Sequence, residues 1–198
     1  MTDLIVPEGF RKVEVPRIAT MSGSSNDLWQ MILMHEFLLE ETRKGRIENL
    51  GHFTNSIHRH PKKTRNVLND LIGKVDALLV GAGWANQLTG CANALLRNEF
   101  EDDYIVVYGF AIEDPENLIH TQTAVRSITE LPSSEVVFNN YVGEEGCLRA
   151  AMDAAKGIYP VINLKDYSAL AVHRSMEEAV RIGKELKLSI QKKQGGNK

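Results

Sequence analysis

The sequence predicts an α/β fold, a three-layer αβα sandwich built on a parallel sheet. Three observations predict it. Short apolar runs at residues 17–21, 47–54 and 77–80 are each followed by a polar or glycine-rich turn. Each turn is followed by a stretch whose apolar residues recur at helical spacing. The run at 77–80 is apolar throughout, as a strand covered on both faces should be. Strands alternating with helices at this spacing imply right-handed crossovers.

The elements follow in order. Residues 1–16 read as an irregular N-terminal arm ended by Pro16, and residues 17–23 as the first strand. A helix follows from Asp27 to about Lys44, with Leu28, Met31, Ile32, His35, Leu38 and Leu39 on one face. Residues 47–54 form a weaker strand, and Pro61 suits the first position of the next helix, which turns Val67, Leu68, Leu71 and Ile72 inward. After the strand at 77–80 comes a helix carrying Leu88, Cys91, Ala92, Leu95 and Leu96. Residues 104–112 are the fourth strand; Asp114-Pro115 opens a helix that Pro132 ends, and residues 135–141 are the fifth strand. An Ala-rich helix spans 144–156 and stops at Gly157; residues 159–164 suit a short edge strand and 175–191 an amphipathic last helix. Residues 17–192 therefore read as a single α/β domain, and 193–198 as a frayed tail.

Composition narrows the function. A chain of 198 residues is long enough for one sizeable core, and a net charge of −3 with both signs mixed exerts no pull toward nucleic acid or anionic membrane. No apolar run approaches the ~20 residues of a membrane span, and residues 1–6 lack the basic start and cleavage site of a signal peptide. Cys91 and Cys147 lie far apart in apolar helical stretches and read as reduced core thiols of a cytoplasmic protein.

The chemistry concentrates in the three turns. In a parallel sheet all the carboxyl ends of strands face one edge, and ligands sit there where strand order reverses. Gly23-Ser24-Ser25-Asn26-Asp27 stands between a strand and a helix N-terminus, a place that binds anions or is simply capped by its own Ser, Asn and Asp. Asp27 could accept from a ribose diol or serve the helix dipole. In Ser56-Ile57-His58-Arg59-His60-Pro61, a His able to move protons near neutral pH adjoins a forked cation suited to phosphate, or both are plain loop residues. No carboxylate or Cys completes a metal set around His58 and His60. Gly81-Ala82-Gly83-Trp84-Ala85-Asn86 lacks the third glycine and the acidic partner of a dinucleotide turn. Its glycines suit close approach to a flat ligand, on which Trp84 could stack or beside which it could pack in the core. His35 reads as a satisfied core or interface histidine; His52, His120 and His173 have no chemical company in sequence.

Together these turns resemble those of the N5-carboxyaminoimidazole ribonucleotide mutase and phosphoribosylaminoimidazole carboxylase family of purine biosynthesis. That family carries a Gly-Ser-x-Ser-Asp turn, a Ser-Ala-His-(Arg/Lys) turn and a glycine-rich turn ending in Leu-(Pro/Ser)-Gly. Here they stand as Gly23-Ser24-Ser25-Asn26-Asp27, Ser56-Ile57-His58-Arg59 and Gly83-Trp84-Ala85-Asn86-Gln87-Leu88-Thr89-Gly90. Residues 127–134 resemble the family's Leu-x-Met-Pro-x-Gly segment, and the similarity runs from about Arg17 to Ala155. The resemblance implies a flavodoxin-like fold, a homo-octamer, no metal and no organic cofactor. It implies a small-molecule ribonucleotide substrate onto whose C4 a carboxylate moves, from N5 of the same molecule or from CO2. By resemblance, Ser24 and Arg59 hold the 5′-phosphate, Asp27 the ribose, and Ser56 lines the same pocket. His58 is then the general acid/base at C4, with Ala82 and Gly83 against the imidazole edge; Asn26 and Trp84 are candidate substrate-binding residues by their places in the turns. The chain departs from the family at Asn26 (for Ser), Ile57 (for Ala), Trp84 (for a small residue or Arg) and Gln87 (for a His of one branch). Residues 111–123 are acidic, unlike the family's Ser/Ala-rich covering loop. A sister enzyme acting on another ribonucleotide, and a non-catalytic nucleotide-binding relative, stay open as readings.

Overall fold

Four parallel strands form the centre. They are β2 (Arg17–Ser22), β3 (Glu48–Thr54), β4 (Ala77–Ala82) and β5 (Val106–Ala111), in the order β3-β2-β4-β5. The computed structural model describes residues 6–131, 135–165 and 172–195, in two compact units, Met1–Leu164 and Lys165–Lys198. In the first unit, strand alternation sorts the core into two layers. Ile18, Leu79 and Phe110 face α1 (Ile32–Arg43) and α5 (Gly143–Ala155), against Met34, Leu38, Ala150, Ala151 and Ala154. Ala19, Met21, Leu78 and Val80 face α2 (Pro61–Leu71) and α3 (Gln87–Ala94), against Leu68, Leu71, Leu88 and Ala92. Helices thus cover both faces, giving the expected three layers. A third cluster of Ala111, Ala124 and Ile128 seats α4 (Leu118–Thr129).

Local chemistry sets several boundaries. The stretch after β2 first winds as a tight 3-10 helix, Ser25–Met31, before α1 begins. Pro61 does occupy the start of α2. The helix after β5 begins at Leu118 rather than at Asp114-Pro115, because Asn117 caps it through a bond from the Ile119 N–H. At the amino end of the sheet, Arg17 grips the buried Asp76 with its backbone N–H at 2.7 Å and its guanidinium at 2.8 and 3.1 Å. Burial alone would raise the Asp76 carboxyl; those Arg17 bonds hold it below the usual carboxylate range.

Two expectations need correction. Residues 135–141 do not form a continuous fifth strand: parallel bridges join Tyr108 to Val137 and Ala111 to Val142. Asn140, at φ +50°, turns the backbone left-handed between those bridges, a conformation no strand accommodates. The apolar residues still pack, Val136 toward the α2/α3 layer and Val137 toward the α1/α5 layer. The N-terminal arm, in turn, is not wholly irregular. Its residues form β1 (Phe10–Lys12), which pairs antiparallel with β6 (Ile158–Pro160) in a two-stranded ribbon apart from the main sheet. Arg11 lies over the Tyr104 ring at 3.7 Å and anchors the ribbon. Pro132, expected to end α4, and Met1–Ile5 lie outside the described residues, as do residues 196–198 of the tail.

The second unit is a helix, α6 (Met176–Gly195), with Glu177 and Glu178 at its positive end and an Arg181–Glu185 pair at 2.8 Å one turn apart. Among the described residues, no helix is long and apolar enough to cross a membrane.

One strand position has no room for a side chain. A Cβ on Gly81 would lie 2.2 Å from the Phe110 ring and 2.6 Å from its carbonyl oxygen. Gly81→Ala should therefore lower stability by about 1–3 kcal/mol, the usual penalty of overpacking, seen as an earlier midpoint in urea unfolding.

Candidate active site

The strand order sets the site. The chain runs from β2 out to β3 and returns to β4 on the other side of β2, so the order reverses at β2/β4. A cleft of about 450 Å³ opens at the carboxyl ends of these strands and is lined from all three predicted turns. Gly23, Ser24, Asn26 and Asp27 come from the first; Ser56, Ile57, His58 and Arg59 from the second; Ala82, Gly83 and Trp84 from the third. Every residue singled out in sequence as catalytic or ligand-binding lines this cleft. Ala85, Asn86, Gln87 and Leu88 extend the third wall.

The first turn is a capping box made by the Ser24 and Asp27 side chains. The Asn26 N–H donates to Ser24 Oγ at 3.1 Å, and the Ser24 N–H donates to Asp27 Oδ2 at 2.9 Å. The nearby backbone N–H groups of Gly83 and Gly23 also favour the charged form of Asp27. It is only 8% exposed, and burial pushes its carboxyl up to about 6 against those stabilising bonds. Because Ser24 Oγ accepts from Asn26, its own proton is left to donate elsewhere.

The second turn is held at its base. The Asn55 N–H donates to Ser22 O at 2.8 Å, and the His60 N–H to Ser56 O at 2.9 Å. Asn55 Nδ2 bonds Thr64 Oγ1 within α2. His58 and Arg59 stand exposed at the tip. The third turn closes with the Asn86 N–H on Gly83 O at 3.2 Å, with Trp84 at φ +57° and Asn86 at φ +26°. Asn86 is buried and spends its side chain on the fold: Nδ2 donates to Phe110 O at 2.9 Å, and Thr89 Oγ1 lies 2.9 Å from its Oδ1. Trp84 does not pack in the core. It is 65% exposed, and its ring stacks on His120 at 4.3 Å.

Two histidines without sequence neighbours of interest have company in space. His52 Nδ1 lies 2.8 Å from Thr20 Oγ1, and its Nε2 lies 3.2 Å from Ser22 Oγ, which donates to Ser24 O. This chain of bonds reads as a neutral His52 donating from Nε2. Burial, and then the neighbouring His35, pull its pKa down to about 4. His52 thus supports the floor of the first turn. His120 is bonded to Asp114, its Nδ1 2.7 Å from Oδ2. The His52 contacts have no signal in sequence, since Thr20 and Ser22 come from a different strand, whereas Asp114 stands only six residues before His120. Both cysteines are free; burial pushes the Cys147 thiol up to about 12, away from reactivity.

The raised Asp27 pKa makes a prediction. The folded value lies above the ~3.9 of an unfolded Asp, so the folded chain holds this proton more tightly. Its contribution favours folding at acid pH and is lost as pH rises from about 4 through about 6. Urea unfolding at pH 4 and pH 7 should show wild type losing stability relative to Asp27→Asn across that interval.

No protein-family model matches the chain, and no curated protein matches it in sequence. Solved structures do match it. Treponema denticola PurE is similar over 71% of this chain and 87% of its own, with a TM-score of 0.50 at 15% identity. A substituted PurE2 from the same organism covers 72% and 87%, with a TM-score of 0.49 at 15% identity. The first of these likenesses extends over most of the PurE chain and concerns the course of the backbone, so the sheet and its flanking helices have the flavodoxin-like fold found in PurE.

Proposed function

We propose that the cleft carries out carboxyl transfer at C4 of an aminoimidazole ribonucleotide, with His58 as general acid/base. The observation that carries this reading is the meeting of the three turns, with His58 and Arg59 side by side, in one cleft at the strand-order reversal. The likeness of the fold to PurE and the motif resemblance support the substrate class.

In this reading the Arg59 guanidinium and the Ser24 hydroxyl take the 5′-phosphate, and Asp27 the ribose hydroxyls. Asn26 and Ser56 line the same end. Ala82 and Gly83 bring backbone against the heterocycle, with Trp84 beside it. The nucleophile is the electron-rich C4 of the ring. Its electron pair forms the new C–C bond to CO2, and the C4 proton passes to the His58 imidazole. If the carboxylate starts on N5, that N–C bond breaks first, the pair returns to nitrogen, and His58 delivers the proton there. The proton count then closes within the site. Free CO2 reacts by the same step with the proton lost to solvent. The protein contributes position and one proton shuttle. A homo-oligomer and a cytoplasmic setting accompany this reading.

A sister substrate is favoured by one observation. Trp84 places a large ring at the cleft wall where the resembled family has a small residue or Arg.

The test is loss of 4-carboxyaminoimidazole ribonucleotide absorbance on adding the purified chain. His58→Asn should reduce that rate by about 10²–10⁴-fold, the range of a lost general acid/base, with affinity nearly unchanged. Affinity falling together with turnover would make His58 a binding residue instead. Arg59→Ala should weaken the ribonucleotide far more than its nucleoside; equal losses would remove Arg59 from the phosphate.

A further inference from the structure

The acidic segment between β5 and α4 builds a structure beside the cleft. The Ile112 N–H donates to Ala82 O at 3.2 Å, continuing the β4–β5 ladder and bringing this segment alongside the third turn. Gln30 clamps the next residue from both sides: its Oε1 accepts from the Glu113 N–H at 2.8 Å, and its Nε2 donates to Glu113 O at 2.6 Å. Asp114 is fixed in turn. Its N–H donates to Thr121 Oγ1 at 2.8 Å, and its Oδ1 accepts from the Glu116 and Asn117 N–H groups at 3.0 and 3.1 Å.

The remaining Asp114 oxygen, Oδ2, receives His120 Nδ1 at 2.7 Å. On the other side of the ring, Asn117 Nδ2 lies 3.2 Å from His120 Nε2. Asn117 Oδ1 already accepts from the Ile119 N–H as the helix cap, so its NH2 faces the imidazole as donor. The two bonds select one arrangement: Nδ1–H donates to Asp114 and Nε2 accepts from Asn117. An imidazole held at both nitrogens presents a fixed face, and on that face lies the Trp84 indole, 4.3 Å away and inclined 24°.

Trp84 itself is costly to place. Its φ of +57° is disfavoured for a bulky residue, and the indole is 65% exposed at the cleft wall. Ordinary packing would bury such a side chain. Here one face is backed by a braced imidazole, while the residue lines the cleft and stays largely exposed.

We propose that Asp114, Asn117 and His120 are positioning residues that hold Trp84 as an aromatic platform, on whose open face the ligand's flat heterocycle stacks. This inference rests on the ribonucleotide reading of the cleft and adds to it the part that recognises the heterocycle. The second turn grips phosphate; the platform reads the ring. Its substrate class is a ribonucleotide bearing a planar nitrogen heterocycle, recognised by area rather than by hydrogen bonding.

The experiment uses the full chain with Trp29→Phe, which leaves Trp84 as the sole indole of the two in the sequence. It is titrated with 4-carboxyaminoimidazole ribonucleotide and with ribose 5-phosphate, by calorimetry and by indole fluorescence. The ribonucleotide should quench Trp84 and ribose 5-phosphate should not. His120→Ala should weaken the ribonucleotide about tenfold, the scale of one base–aromatic stack, and leave ribose 5-phosphate unchanged. His120→Phe, which restores an aromatic backing, should recover part of the loss, and Asp114→Asn should fall between. Unchanged ribonucleotide affinity in His120→Ala and Asp114→Asn, or parallel loss of ribose 5-phosphate, overturns the platform while sparing the carboxyl-transfer reading. If wild type fails to bind the carboxyaminoimidazole, that reading falls, and adenosine and inosine 5′-phosphates replace it in the same titration. Quenching by either that is lost in His120→Ala upholds the platform; no ribonucleotide distinguished from ribose 5-phosphate overturns it.

Discussion

The pairing of β2 with β4 is the contact on which the cleft depends, and it tolerates almost no bulk at its carboxyl end. The ladder runs in register from Ile18↔Ala77 to Ser22↔Gly81, and the Gly23 N–H carries it one step further onto Gly81 O at 3.1 Å. A Cβ on Gly23 would meet the Ala82 Cβ at 2.9 Å. The absence of a side chain at Gly23 therefore lets it share a hydrogen-bonded seam with Gly81, 58 positions away. Spread the strands by the width of a methyl group, and this hydrogen bond is lost and the two turns part.

A second layer of support lies behind the seam. Thr20 and Ser22 point from β2 toward α1 and β3, where His35 and His52 fill the space. Hydroxyls and neutral imidazoles at this place satisfy one another in a chain that ends on the Ser24 carbonyl. Hydrogen bonds linked in this way polarise and rigidify their members. The first turn is thus braced by a polar network below and by backbone on its flank.

What was legible in the sequence was what short stretches decide for themselves. Ser24 and Asp27 are three residues apart and cap their own helix; Pro61 starts α2; the alternation of Ile18, Ala19 and Met21 sorts β2 onto two faces. The three turns therefore stood out, and the fold brings them together because parallel strands end on one edge. What escaped depends on distant partners. Phe10 meets Pro160, Trp84 meets His120 and Ser22 meets His52, and no local pattern in either member announces the other. The broken fifth strand escaped for a different reason. Val136, Val137 and Phe138 carry strand-like apolarity and do pack as a strand would, but the left-handed turn at Asn140 leaves two isolated bridges in place of a ladder. Apolar content predicts burial there, while the backbone angle of one residue decides the hydrogen bonding.

The small ribbon at the far end of the first unit bears on its topology. Phe10 pairs with Pro160, and the Val161 N–H returns to Gly9 O at 2.8 Å, so the chain leaves this body where it came in. The sheet, both helical layers and the cleft all lie between those two points. A body whose ends meet is defined by its contacts more than by its covalent order. A short link across the ribbon would make residues 9–161 a closed circle, which could be reopened at a surface loop far from the cleft. The same juncture makes the unit a self-contained module, able to sit within another chain as an insertion held at a single neck.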